Sequence, residues 1–265
     1  MDIEQYLAVD TCAETGVLTI TLERSDNPKN QINTGMVEAL YSVLHPQLVH
    51  PSCRGIIVKS AHPKVFSLGA DIDGELKDMD AFEAAHFCSA GREVFNLLTQ
   101  VPVPTIALLS GFALGGGLEL ALCCDFRLAA KNARLGLPEI NLAIIPGWGG
   151  TQRLQRLIGQ SHAKLMIMGG DPVNAATALE CGLVDDVVES PEELVPTGMK
   201  LMKKLTAKSR TALALAKRSV NVGGGMPLDS ALKLEGEIFG LAWSTADREE
   251  GIAAYQEKRK PKWKE

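Results

Sequence analysis

The feature that most constrains this chain is Gly115-Gly116-Gly117-Leu118-Glu119-Leu120-Ala121, three consecutive glycines running into a short apolar stretch that carries one carboxylate. Glycine tolerates positive φ and lets backbone approach a ligand or another backbone closely. A helix starting at such a turn presents N–H groups that have no intrahelical acceptor, and these favour negative charge. The segment reads as a glycine turn into a helix, able to hold a phosphate or an oxyanion that forms during a reaction. It lacks the third glycine of a G-x-G-x-x-G dinucleotide fingerprint, and no Lys-Ser/Thr follows as in a P-loop. Taken alone, it serves equally well as a tight structural turn.

Around it, strand-like and helix-like segments alternate. Tyr6 to Asp10 and Val17 to Leu22 read as a hairpin turning at Glu14 to Gly16. Asn33 can cap a helix carrying Val37, Leu40, Tyr41 and Leu44 at helical spacing, which should end before Pro46. Gly55 to Lys59, Pro104 to Leu109 and Asp125 to Ala130 are mostly apolar runs of the kind found in strands covered on both faces. Asp80 opens a long amphipathic stretch through Phe82, Phe87, Val94, Phe95 and Leu98. The alternation indicates an α/β core over residues 1–191, with no repeat visible in the sequence. Residues 192–265 are helical in character, punctuated at Gly223 to Gly225, Pro227 and Pro261.

Composition removes several classes of function. The 265 residues are 46% hydrophobic and 22% charged, enough for a sizeable core. No apolar run approaches the roughly 18 residues of a membrane span. Met1 to Asp10 carries Asp2 and Glu4 and no basic residue, unlike a secretory or transit peptide. A net charge of −5 argues against a nucleic-acid binder. The six cysteines (Cys12, Cys53, Cys88, Cys123, Cys124, Cys181) contain no C-x-x-C pair, so reduced thiols in a cytoplasmic setting are expected, with no metal. His45, His50, His62, His86 and His162 form no ligand motif and read as surface or structural residues.

Two glutamates stand in unusually apolar settings. Glu119 lies among Leu118, Leu120, Ala121 and Leu122, and Glu139 among Leu135, Leu137, Pro138 and Ile140. Each alone is as readily a surface or capping residue. Two of them, each beside glycine-rich backbone, point toward paired acid and base work, because burial raises a carboxyl pKa toward neutrality.

Three stretches together are specific. They are Gly69-Ala70-Asp71, Ala113 to Ala121, and Pro138-Glu139-Ile140 followed by Pro146-Gly147-Trp148-Gly149-Gly150-Thr151-Gln152-Arg153. In order and spacing they resemble the enoyl-CoA hydratase/isomerase (crotonase) family, as do Cys124-Asp125 and the ending from Glu250 to Pro261. The likeness runs from about Val17 to Trp263.

The resemblance implies a crotonase-like ββα spiral core holding an acyl-CoA site, with the C-terminal helical region, 192–265, as the trimerisation region of a homotrimer or homohexamer. It implies an oxyanion hole for the thioester carbonyl, formed by the N–H groups of Ala70 and Gly116. It implies that Glu119 acts mainly on water and Glu139 mainly on the α-carbon proton. The substrate would be lined by Leu68, Gly69, Asp71, Ile72, Gly115, Gly117, Pro138, Gly147 and Trp148. No cofactor is implied, since coenzyme A is part of the substrate. Retention of both carboxylates favours hydration of a 2-enoyl-CoA over the isomerase and other acyl-CoA lyase reactions of the same family. The acidic charge disfavours a non-catalytic RNA-binding member, and Gly-x-Ser-x-Gly, the serine hydrolase motif, is absent.

The chain departs from the family pattern at four places. Ser67-Leu68 stands where small residues are common, Leu118 where Cys is frequent, Leu137 where Gln is frequent, and Trp148 where a smaller residue is common. Leu68 would narrow the channel, and Trp148 would either close the acyl pocket or simply pack. The basic tail (Lys258, Arg259, Lys260, Lys262, Lys264) reads as a solvated helix end, with at most a supporting contact to the coenzyme A phosphates.

Overall fold

In the computed structural model, residues 3–47 and 52–264 are described; Met1, Asp2, His50 and Glu265 fall outside them. The chain opens with the hairpin β1 (Leu7–Thr11) and β2 (Val17–Leu22), antiparallel with Leu7 opposite Leu22. Helix α1 (Thr34–Gln47) follows, with Asn33 Oδ1 accepting from the Met36 N–H. It runs past Pro46, contrary to the sequence expectation. With one helical residue left after it, the proline sits in the final turn, where its missing donor costs a single bond instead of a broken helix.

Next come β3 (Gly55–Ser60), β4 (Val65–Ser67) and α2 (Ala81–Gln100). Asp80 caps α2 through the Phe82 and Glu83 N–H groups, and the Glu83 side chain returns a bond to the Asp80 N–H. The pattern repeats as β5 (Thr105–Leu109), β6 (Phe112–Leu114) and α3 (Gly116–Ala121). It repeats again as β7 (Phe126–Ala130), β8 (Arg134–Gly136) and α4 (Gly150–Gly169), which breaks at Gly159. The remainder is β9 (Val173–Asn174), α5 (Ala175–Glu180), β10 (Asp186–Val188), α6 (Leu194–Thr206), α7 (Arg210–Gly223), α8 (Leu228–Trp243) and α9 (Ala246–Gln256).

Each ββα unit sends its first strand to one sheet and its second to another. The larger sheet has the order β1-β2-β3-β5-β7-β10 and the smaller one β4-β6-β8-β9. From β2 onward the larger sheet is parallel, and β4, β6 and β8 are parallel to one another. This two-sheet ββα winding is the α/β arrangement that the resemblance in sequence implies.

The central strands β3, β5 and β7 of the larger sheet are covered on both faces, which explains their mostly apolar sequences. Ala107 and Leu109 of β5 face the main core with Phe66, Phe95 and Leu118. Ile106 and Leu108 face a second cluster with Leu128, Leu194 and Met202. Gly55 and Gly198 allow that close approach, since a Cβ at either would run into Met202 or Leu108. Helix α6 therefore covers the sheet, although it lies beyond residue 192. Helices α7 to α9 bury little: α7 has no buried residue and α8 only Ile238.

Candidate active site

Because β4, β6 and β8 are adjacent and parallel, their C-terminal ends lie side by side. The segments leaving those ends carry the three motifs: Gly69-Ala70 after β4, Gly115-Gly116 after β6, and Pro138-Glu139 after β8. Their backbones touch. The Gly115 N–H donates to the Gly136 carbonyl at 2.9 Å. Gly69, at φ +85°, is so close to the glycine turn that a Cβ there would lie 2.8 Å from the Leu114 oxygen and 2.9 Å from the Gly116 nitrogen. Only glycine meets both demands at position 69.

A cavity of about 120 Å³ opens at this junction. Of the residues singled out from sequence, Leu68, Ala70, Ile72, Gly115, Gly116, Glu119, Pro138, Glu139, Gly147 and Trp148 line it. Gly69, Asp71 and Gly117 do not; they hold the walls. Asp71 Oδ2 accepts from Arg24 Nη1 at 2.6 Å in a buried ion pair, and its Oδ1 accepts from the Gly74 N–H. Gly117 lies against Ser67, where a Cβ would come within 2.6 Å of the Ser67 oxygen. Sequence reading missed Leu76, Phe87, Cys88, Leu142, Ile144 and Ile145 as lining residues. Phe87 and Cys88 reach the cavity from one turn of α2, and nothing local distinguishes them from the other apolar positions of that helix.

Gly116 is the first residue of α3, so its N–H precedes any intrahelical acceptor. The bridge beside Ala70 uses the N–H groups of Ile32 and Asp71 and leaves that of Ala70 out. Two backbone donors are thus brought to one end of the cavity.

Glu119 follows one turn into α3 and is 2% exposed. Its Oε1 accepts the N–H groups of Trp148 at 2.8 Å and Gly150 at 2.7 Å, the latter the first residue of α4. Burial pushes its carboxyl up to about 7, helped by the charge of Glu139, while the two N–H bonds and Arg153 oppose the rise. Glu139 is held on a 3₁₀ turn over Pro138–Leu142 that closes at Ala143 with φ 57°. Burial raises its carboxyl as well. Its Oε2 is buried with no hydrogen-bond partner among the described residues, so one carboxyl oxygen is left available to a ligand.

Trp148 packs as well as lining the cavity. It is 3% exposed, with the Phe87 and Phe95 rings each 5.2 Å from its own. Of the other departures from the family pattern, Leu118 and Leu137 are core residues, and Ser67 bridges the Asn30 oxygen and the Gly69 N–H. In the basic tail, Arg259 is paired with Glu250 and Glu257. Cys53, Cys123 and Cys124 are buried, and all six thiols are free. Among the described residues no helix is long and apolar enough to cross a membrane.

Known proteins resemble this chain over most of its length. The chain is 44% identical over 210 residues to a crotonyl-CoA hydratase of Syntrophomonas wolfei, covering 79% of this chain and 80% of that one. It is 39% identical over 249 residues to a short-chain-enoyl-CoA hydratase of Clostridium acetobutylicum, covering 93% and 94%. The crystal structure of an enoyl-CoA hydratase from Bacillus anthracis superposes with a TM-score of 0.92 at 38% identity, covering 98% of this chain and 99% of that one. The sequence profile of the enoyl-CoA hydratase/isomerase family matches residues 12–265, and the chain belongs to that family.

Proposed function

We propose that the protein is an enoyl-CoA hydratase, adding water reversibly to a 2-trans-enoyl-CoA to give the 3-hydroxyacyl-CoA. The observation that carries this reading is the pair of carboxyl groups in one cavity: Glu119 anchored by two N–H bonds, and Glu139 with a buried, unpartnered oxygen.

Glu119, ionised, takes a proton from a water as its oxygen bonds to C3. The electron pair of the double bond moves through C2 to the thioester oxygen. The Ala70 and Gly116 N–H groups stabilise that oxygen most strongly as its charge grows, which lowers the barrier without tightening the ground state. Glu139, whose Oε2 is buried without a partner among the described residues, then supplies a proton to C2. The reverse sequence dehydrates the product. A base near 7 matches ordinary working pH, where general base catalysis is most effective. The chemistry draws on no cofactor beyond the coenzyme A of the substrate.

Crotonyl-CoA tests the assignment. Hydration removes the absorbance of the conjugated enoyl thioester, whereas an isomerase of the same family leaves crotonyl-CoA intact and forms it from the 3-enoyl isomer. Absorbance that persists with enzyme present would overturn the hydratase reading.

The same reading extends to assembly and setting. Leu228, Leu232, Phe239 and Trp243 share one face of α8 and are each more than half exposed, an apolar stripe of the kind another copy of the chain would cover. Helices α7 to α9 are proposed to join three copies, alone or as two stacked trimers. Free thiols are consistent with a reducing, cytoplasmic location.

A further inference from the structure

We propose that Trp148 limits the acyl length of the site, making the protein selective for short-chain 2-enoyl thioesters of about four to six carbons. The inference rests on the hydratase reading for the identity of the substrate, and on the packing of one indole for its size.

Trp148 touches both ends of the chemistry. Its backbone N–H holds Glu119 Oε1 at 2.8 Å, and its ring lies on Gly116, where any Cβ would run into Cζ3. Gly116 would hold the oxygen on C1, and Glu119 would serve water at C3. Carbons beyond C3 therefore meet the indole. The rim of the cavity is open, with Leu142 at 57% and Ile145 at 67% exposure, whereas Trp148 at 3% and Phe87 at 6% form its inner wall.

That wall is fixed. Phe87 and Phe95 pack against the indole from α2, and Gly91, between them on the same helix, has no side chain where a Cβ would strike Nε1. Two helices thus give up side chains, at Gly91 and Gly116, in the space the ring fills. Nε1 is buried without an acceptor among the described residues, so packing holds the ring. Swinging it aside for a longer chain would press it into α2 or α3, and close-packed interiors resist such displacement. Removing the ring leaves a void that joins the acyl cavity and ends at Phe95 and Gly91. The N–H bond to Glu119 belongs to the backbone, so it survives the substitution.

The test is kcat/KM for 2-enoyl-CoA substrates of four, six, eight and ten carbons with the parent, Trp148→Phe, Trp148→Leu and Trp148→Ala. The readout is the ratio of the eight-carbon to the four-carbon value, which cancels a general loss of activity. One methylene too many in a fitted apolar pocket costs about 10–200-fold. The parent should therefore discriminate at least tenfold against eight carbons, and the ratio should rise in the order Phe, Leu, Ala, by about tenfold or more for Ala. If Trp148→Ala does not fold, the Phe and Leu variants decide the trend. A folded Leu or Ala variant with the parent ratio, or a parent that accepts ten carbons as well as four, overturns the inference and leaves the hydratase reading intact. A parent that hydrates no substrate overturns the hydratase reading instead. Calorimetric binding of butyryl-CoA against octanoyl-CoA gives a second measure of the length preference without turnover.

Discussion

The Glu119 carboxylate is held by the backbone N–H of Trp148, 2.8 Å from its Oε1, so the putting-in-place of the buried acid and the closure of the cavity wall depend on one residue. The second anchor, the Gly150 N–H, lies at the start of α4, where a negative charge is favoured. One oxygen of Glu119 is tied down, and the carboxyl as a whole is still pushed up to about 7 because burial outweighs both bonds.

The two carboxylates should separate kinetically. Glu119→Gln should lower hydration of crotonyl-CoA about 10²–10⁴-fold, with a smaller effect on exchange of the C2 hydrogen of bound acyl-CoA with solvent. Glu139→Gln should suppress both. Deuterium exchange followed by NMR beside the absorbance assay distinguishes them, and normal C2 exchange in Glu139→Gln would refute its role. A double variant little worse than either single one would mean that the two act as one unit.

Stability should carry the mark of Glu119. Its carboxyl is at about 7 folded, against an ordinary value of 4.5 in the unfolded chain. Between those values the folded protein keeps a proton that the unfolded chain releases. Stability from this group is full below about 4.5 and is lost as pH rises through about 7. The size is on the order of 3 kcal/mol. Glu119→Gln should flatten this slope and raise the urea midpoint above the parent's at about pH 8. The same slope in parent and variant would rule out burial as the cause.

Gly116 and Trp148 should be energetically coupled. Gly116→Ala puts a Cβ into the indole and should cost about 1–3 kcal/mol by overpacking. Combined with Trp148→Leu, much of that cost should vanish, a coupling of about 0.5–3 kcal/mol in a double-mutant cycle read by urea denaturation. Additive costs would mean that the two do not share the space.

The loop bearing Ala70 should depend on the Arg24–Asp71 pair, whose side chains are only 7% and 8% exposed. Asp71→Ala leaves Arg24 with Asp26 and the Gln31 carbonyl but uncovers the end of the Gly74 turn. It should cost about 3 kcal/mol and lower kcat through a displaced Ala70 N–H. Unchanged stability and kcat would show that Gly69 alone positions the loop.

Light scattering at micromolar concentration should give a mass of three or six chains. Leu232→Glu and Phe239→Glu, both on the exposed face of α8, should reduce it. A parent monomer would contradict the proposed assembly.

Much was legible in local sequence because local chemistry decides it. The hairpin, the start of α2 at Asp80 and the apolar runs of β3, β5 and β7 depend on a few neighbouring residues each. Glu119 follows Gly116 by about one helical turn, a spacing written directly in the order of the residues. The short strands β4, β6 and β8 were not legible: each is three residues long and carries no usable periodicity. The ββα repeat was hidden because its helices span 20, 6 and 20 residues, so no fixed period marks it. Those three strands nevertheless build the site, since their parallel pairing brings Ala70, Gly116 and Glu139 to one edge. Trp148 shows the same division. Its presence in a glycine-rich loop is plain in the sequence, but whether it packs or walls the cavity depended on Gly91, 57 residues away by 148 − 91, lacking a side chain. Short-range propensity is written in neighbouring residues; shape complementarity between distant ones exists only once the chain has brought them together.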